Sequence, residues 1–159
     1  MADKREQILS QLFATIVGLT VTDSARFKNA YRNRGLVDQD ERPASVLLDG
    51  AETSRLTGSR QGRGGASGIG PQLVTMRPEV YFLVKDRRPL NEEIGTELNT
   101  MRLAYLAAVE MDAALRTLVG PNGAIELTGT DVDMKGGSSG EGQMRLDFSI
   151  TYVFDPTRQ

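Results

Sequence analysis

The chain has 159 residues, 19 Lys plus Arg against 21 Asp plus Glu, and neither Cys nor His. That length fits one domain able to bury a core unaided, and the missing residue types exclude disulfides, thiolate or imidazole metal sites, thiol nucleophiles and histidine general bases. A formal charge of −2 gives no bulk attraction for nucleic acid, so any polyanion contact must be local.

The start, MADKREQILSQL, lacks a signal-type apolar core, and no run approaches the roughly 18 apolar residues of a membrane span. A soluble, intracellular protein forming one domain over 1–159 is expected. Asp3 and Glu6 form a capping-box pattern, and Ile8, Leu9, Leu12, Phe13, Ile16 and Val17 then recur at helical spacing, so a first helix is predicted from about Lys4 to Val17, with Gly18 as its stop. The loose alternation of Ser24 to Arg32, with Phe27 and Tyr31, predicts a first strand turned by Asn33-Arg34-Gly35. Pro43 suits the first position of a strand through Val46, Leu47 and Leu48 to a turn at Asp49-Gly50.

Between Thr57 and Pro71 the composition changes to TGSRQGRGGASGIGP, too poor in apolar surface to offset its ordering entropy. It reads as a long hairpin extension, mobile in an isolated subunit, before a strand over Leu73 to Lys85 in which Pro78 implies an edge position or a bulge. After Pro89, Asn91 can cap a helix whose Ile94, Leu98, Met101, Tyr105, Ala108, Leu115 and Val119 form one stripe, ended by Gly120 and Pro121. A final hairpin pairs Ile125 to Met134 with Gln143 to Phe154, where Met144, Leu146, Phe148, Ile150, Tyr152 and Phe154 take every second position. The expected architecture is α+β: two helices on one face of a mostly antiparallel sheet, whose other face and edges are left for water or another subunit.

No stretch carries a convincing catalytic or phosphate-binding signature. The glycine loop holds neither a P-loop nor a G-x-G-x-x-G leading into a helix, and the register of Asp131, Asp133 and Glu141 does not fit a calcium loop. Three cations of the loop region, Arg55, Arg60 and Arg63, have no acidic neighbour between Ser54 and Pro71 and suit docking on an acidic partner surface or contact with nucleic acid, the alternative being a solvated insertion. The cluster Arg26, Lys28, Arg32 and Arg34, with Arg26 and Lys28 on one strand face, reads either as solvated charge or, as the preferred functional version, as an intersubunit surface matching Glu92, Glu93 and Glu97 of a neighbour. Those three acids also suit the first turns of a helix, where the dipole favours them. Asp112, near the middle of the apolar stripe, is expected as a buried carboxylate paired with Arg116, Arg102 or a tyrosine hydroxyl.

Taken together, the N-terminal helix, the segment ending YRNRG, RPASVLLDGAE, TMRPEVYFLVKD, LNTMRLAYLAAVEMDAALRTLVG and LDFSITYVF resemble tail terminator proteins of long-tailed bacteriophages and related phage-like particles. The resemblance spans nearly the whole chain outside the Gly/Arg loop. It rests on element order, on R-P-x-x-x-L-x-D-G at Arg42 to Gly50, and on helix-borne Arg102 and Asp112. It implies a structural virion protein with no enzymatic activity, cofactor or membrane contact, made in the bacterial cytoplasm and placed in the tail neck. Such a protein forms a hexameric ring that caps the tail tube protein, ends its polymerisation and meets the head connector protein, with DNA passing through the lumen without sequence recognition. A connector or tail-tube ring subunit of the same particle is the alternative. A small non-metal enzyme using Asp, Glu, Arg or Tyr is the remote one.

Overall fold

Strict alternation in the last strand sets the layers. β5 (Gly142–Phe154) buries Met144, Leu146, Phe148, Ile150 and Tyr152 and leaves the residues between them partly exposed, so one face of the sheet is core and the other is not. The computed structural model describes residues 3–57, 71–85, 91–134 and 142–156. The helices are α1 (Lys4–Thr22), α2 (Asn91–Met111) and α3 (Ala113–Val119). The remaining strands are β1 (Asn29–Arg32), β2 (Ala44–Leu56), β3 (Gln72–Val84) and β4 (Ala124–Met134). They form one sheet in the order β1-β2-β3-β5-β4, antiparallel except for the β1–β2 pair. This is the expected α+β, two-layer architecture, with three helices in place of two.

The helices pack on the face carrying Leu47, Val80, Phe82 and the buried row of β5, to which α1 contributes Ile8, Leu9, Leu12 and Ile16, and α2 contributes Ile94, Leu98, Met101 and Tyr105. A ladder of edge-to-face rings crosses this core, from Phe27 to Phe82 to Tyr105 to Phe148, with centroids 5.9, 5.8 and 6.0 Å apart. A smaller cluster lies on the opposite face, where Val37 covers Ala44, Val46 and Leu83.

Several boundaries differ from expectation. α1 runs through Gly18 to Thr22, because a glycine ends a helix only where the chain turns into a left-handed cap; here the Asp23 N–H bonds back to the Leu19 carbonyl instead. Ser24 to Arg26 make a turn and β1 starts at Asn29, so Arg26 and Lys28 precede the strand and do not share a strand face. The predicted long second helix is broken at Asp112, which is the N-cap of α3.

Asp49-Gly50 does not turn the chain. Both residues lie opposite Pro78, between the pairs Leu48↔Glu79 and Ala51↔Arg77, and form a bulge through which β2 continues to Leu56. Pro78 therefore meets the expected bulge, but on an interior strand, β3, flanked by β2 and β5. Gly50 has φ +68, and a Cβ built there would sit 1.8 Å from the Arg77 carbonyl oxygen, so glycine alone fits.

Candidate assembly surface

The sheet face away from the helices is polar beyond the Val37 cluster. Its residues follow from the register: Ala51, Thr53 and Arg55 of β2; Thr75, Arg77 and Glu79 of β3; Arg145, Asp147, Ser149 and Thr151 of β5; and Glu126, Asp131 and Asp133 of β4. Thr75 and Thr151 join hydroxyls at 3.1 Å across the β3–β5 pair. Arg145 lies 3.1 Å from Asp147 and 3.9 Å from Asp131, and the Tyr81 hydroxyl donates to Glu79 at 2.8 Å, so charges in the middle of the face are paired. Toward its two sides, Arg55 and Arg77 on one and Glu126 and Asp133 on the other are exposed and have no ion pair among the described residues.

The basic cluster predicted as an intersubunit surface is mostly spent within the subunit. Arg32 binds two carboxylates at once, Asp49 through Nε and Nη2 at 2.8 and 3.0 Å, and Glu6 through Nη1 and Nη2 at 2.7 and 2.8 Å. These bonds tie β1 to the β2 bulge and to α1. They hold the Glu6 carboxyl down at about 2 and depress that of Asp49, while the Arg32 guanidinium is raised by the same bonds. Arg34 pairs with Glu41 at 2.8 Å and stacks 4.3 Å over the Tyr31 ring. Arg26 pairs with Asp23 at 3.0 Å, and the Lys28 ammonium donates to the Asp40 carbonyl at 3.4 Å. Local chain geometry explains the outcome, because the turn before β1 and the single 3₁₀ turn at Gln39–Glu41 bring acids beside bases that sequence spacing alone does not pair.

Asp112 is a cap and accepts from neutral donors. Its carboxylate takes the Leu115 N–H at 2.9 Å, the Gln11 side-chain N–H at 2.9 Å and the Thr15 hydroxyl at 3.0 Å, tying α3 to α1. Burial works to raise this carboxyl, but the hydrogen bonds outweigh it and hold it below the ordinary range. The expected pairing with Arg116 or Arg102 is therefore replaced: Arg116 is exposed on α3, and the Arg102 Nε is buried without a hydrogen-bond partner. Tyr105 is fully buried, its hydroxyl likewise has no hydrogen-bond partner, and burial with the nearby Asp112 charge pushes its phenol upward. Of the acids expected to face a neighbour, Glu93 is exposed and Glu97 is half-buried, both near the start of α2. Arg60, Arg63, Glu141 and the Glu92 side chain lie outside the described residues.

Hollows occur on both sides of the sheet among the described residues. One of about 720 Å³ lies between α3 and the start of β4, lined by Val109, Ala113, Arg116, Pro121 and Ile125. Another, about 320 Å³, opens on the polar side between Arg34, Arg42, Val46 and Tyr81. Among the described residues, no three acids converge as metal ligands, and no helix is long and apolar enough to cross a membrane.

The feature the sequence did not reveal is the state of the two sheet edges. β1 is only four residues long and covers Ala44 to Leu47 of β2, leaving the rest of that edge uncovered by any described strand. The Thr57 N–H donates to the Pro71 carbonyl at 3.1 Å, which fixes the ladder parity: residues 51, 53 and 55 face β3, and the backbone groups of Glu52, Ser54 and Leu56 point outward. β4 is the opposite edge, a full 11 residues with a bulge at Thr128. The signal for both lay in strand lengths and bulge positions, which hydrophobic alternation does not encode.

No protein-family model matches the chain, and no curated protein matches it. The fold and surface define a class by themselves: a two-layer α+β domain with one helix-covered sheet face, one largely polar face and two sheet edges that no described strand covers along most of their length.

Proposed function

We propose that this chain is a structural subunit of a closed ring in the neck of a phage-type tail, where it caps the tail tube, ends its growth and presents a surface to the head connector. The observation that carries this reading is that the outer half of β2 and the whole of β4, on either side of a polar sheet face, are edges that no described strand covers. A monomer gains nothing from such edges, whereas a ring in which each sheet meets the next removes them. The polar face then suits a wet surface, such as a lumen wall passed by a polyanion without base recognition. Nearly all the charged side chains near β1 serve the subunit's own folding, which fits a building block better than a site of chemistry.

The test is the mass and shape of the purified protein. Light scattering on a sizing column, with negative-stain images of the same peak and of the protein mixed with tail tubes, should give a discrete ring that stops tube growth. Open-ended tubes of the protein alone would assign it to the tube itself, and a monomer indifferent to tubes would end the reading.

A further inference from the structure

We propose that the hollow of about 320 Å³ on the polar side of the sheet is a binding site for a monocarboxylate carrying an apolar body the size of one amino-acid side chain. The proposal goes beyond the ring reading above and does not depend on it.

The floor of the hollow follows from the register. Val46 pairs with Tyr81 and Ala44 with Leu83, so Val46, Leu48, Tyr81 and Leu83 share one sheet face, and Gln143 stands beside Leu83 on β5. The segment between β1 and β2 folds back over this floor, where Val37 is buried against Val46 and Leu83. Leu36, next to it, lines the hollow and is 75% exposed. This is the apolar end of an otherwise polar face. The Tyr81 hydroxyl is committed to Glu79 at 2.8 Å, so Tyr81 offers the hollow its ring.

The two guanidinium groups that line the hollow are in different states. Arg34 is held by both oxygens of Glu41, Nη1 to Oε1 at 2.8 Å and Nη2 to Oε2 at 3.0 Å, so its charge is cancelled. Arg42 has no carboxylate partner among the described residues. Its Nη2 donates to the Val37 carbonyl at 3.3 Å and its Nε is buried without a partner, which leaves the Nη1 hydrogens uncommitted. The Gln143 side-chain amide likewise makes no hydrogen bond among the described residues. One uncompensated cation and one free amide therefore stand over an apolar floor.

The rim is also preorganised. The Asp38 N–H donates to Glu41 Oε2 at 3.0 Å and the Glu41 N–H returns to the Asp38 carbonyl at 3.1 Å, which fixes the 3₁₀ turn leading into Arg42.

These features select the ligand. The planar end of a guanidinium takes a carboxylate through parallel N–H···O bonds, and one free cation matches one negative charge. A phosphate dianion would keep an uncompensated charge beside apolar side chains, which is costly. The volume lies at the lower end of the range of about 300–1,000 Å³ usual for ligand pockets, enough for one short apolar group behind the carboxylate. A free acid and the C-terminal residue of a partner protein present that same chemistry.

The experiment is ligand-observed saturation-transfer NMR on the full chain, which works whatever the mass of the assembly. The probes are phenylacetate, its neutral amide phenylacetamide, acetate, and the dipeptide acetyl-Gly-Phe with its C-terminus free or amidated. Phenylacetate or the free-acid dipeptide should bind saturably with a Kd of about 1 mM or tighter, and phenylacetamide, acetate and the amidated dipeptide at least about tenfold more weakly. Arg42→Gln should weaken the acid about tenfold or more, and so should Leu36→Glu, which sets an acid beside Arg42. Because Leu36 is exposed, Leu36→Glu keeps the test decisive should Arg42→Gln melt early by circular dichroism. Whichever acid binds more tightly identifies the source, a protein C-terminus for the dipeptide and a free acid for phenylacetate. Absence of saturable binding by both acids, equal binding of the amides or of acetate, or wild-type affinity in the folded variants overturns the site. None of these outcomes touches the ring reading, which the mass of the purified protein decides separately.

Discussion

The two halves of β2 have the same backbone conformation and opposite surroundings. Ala44 to Leu47 are buried, with Leu47 against the helices and Val46 under Val37, and are paired on one edge with β1 and on the other with β3. Gly50 to Leu56 are exposed, and their outer edge meets no described strand. The bulge at Asp49 and Gly50 divides them. It absorbs Pro78 on the neighbouring strand and is clamped from below by Arg32. Burial in the first half holds the subunit together, while the second half contributes almost no apolar area and is tied to α1 by Arg5, which donates to the Gly50 carbonyl at 3.0 Å and pairs with Glu52 at 2.9 Å.

The most damaging way to break this division is to fill the bulge. Gly50→Val places a branched side chain at φ +68 against the Arg77 carbonyl, where backbone, and not a movable side chain, is in the way. A loss of about 3–5 kcal/mol is expected from strain and clash together. The check is urea unfolding followed by circular dichroism, and a midpoint close to wild type would mean that the bulge is not a fixed element.

Next in size is Leu47→Ala in the first half. Leu47 is fully buried between the sheet and the helices, so its truncation should cost about 3 kcal/mol, with Tm falling accordingly. The loss should appear in the monomer and not depend on protein concentration. A change below about 1 kcal/mol would show that the core collapses around the deletion.

Smaller again is the Arg32 clamp, which should reveal itself through pH. The Glu6 carboxyl is lowered from 4.5 to about 2, and Asp49 is lowered by the same guanidinium. A carboxyl depressed in the folded state adds stability that is present above its unfolded pKa and is lost as pH falls toward the folded one. Wild type should therefore lose Tm steeply between 4.5 and about 2. Arg32→Ala should flatten that decline and cost about 1 kcal/mol near neutrality, modest because Glu6 is about half exposed. An unchanged acid profile in the variant would show that other carboxylates set the acid limb.

How much of this was legible follows from what each signal measures. Alternation in β5 and the 3.6-residue stripe of α2 report burial directly, so the layers, the final hairpin and most core residues were readable. Asp112 was recognised as a carboxylate in an apolar stripe, yet its partners Gln11 and Thr15 lie about a hundred positions away on α1 and carry no charge to mark them. Arg26, Arg32 and Arg34 read as a basic surface because their acids are supplied by the turn before β1, a short 3₁₀ turn, the bulge and a different helix. The Asp49-Gly50 pair carried the composition of a turn, and the partner strand decided that it would be a bulge. Local chemistry was visible in the chain, whereas edges and ion pairs belong to topology.

The smallest effect sharpens the comparison most. Ser54 sits in the free half of β2 with its side chain on the helix side, beyond the helices' cover, and is exposed. Ser54→Ala removes a hydroxyl that makes no hydrogen bond among the described residues and keeps the backbone donor and acceptor. The monomer should therefore melt within the range of about 0.5 kcal/mol usual for exposed sites. Thermal melting of dilute protein checks this, and a loss above about 1 kcal/mol would mean that the outer half is structural after all, collapsing the distinction between the halves.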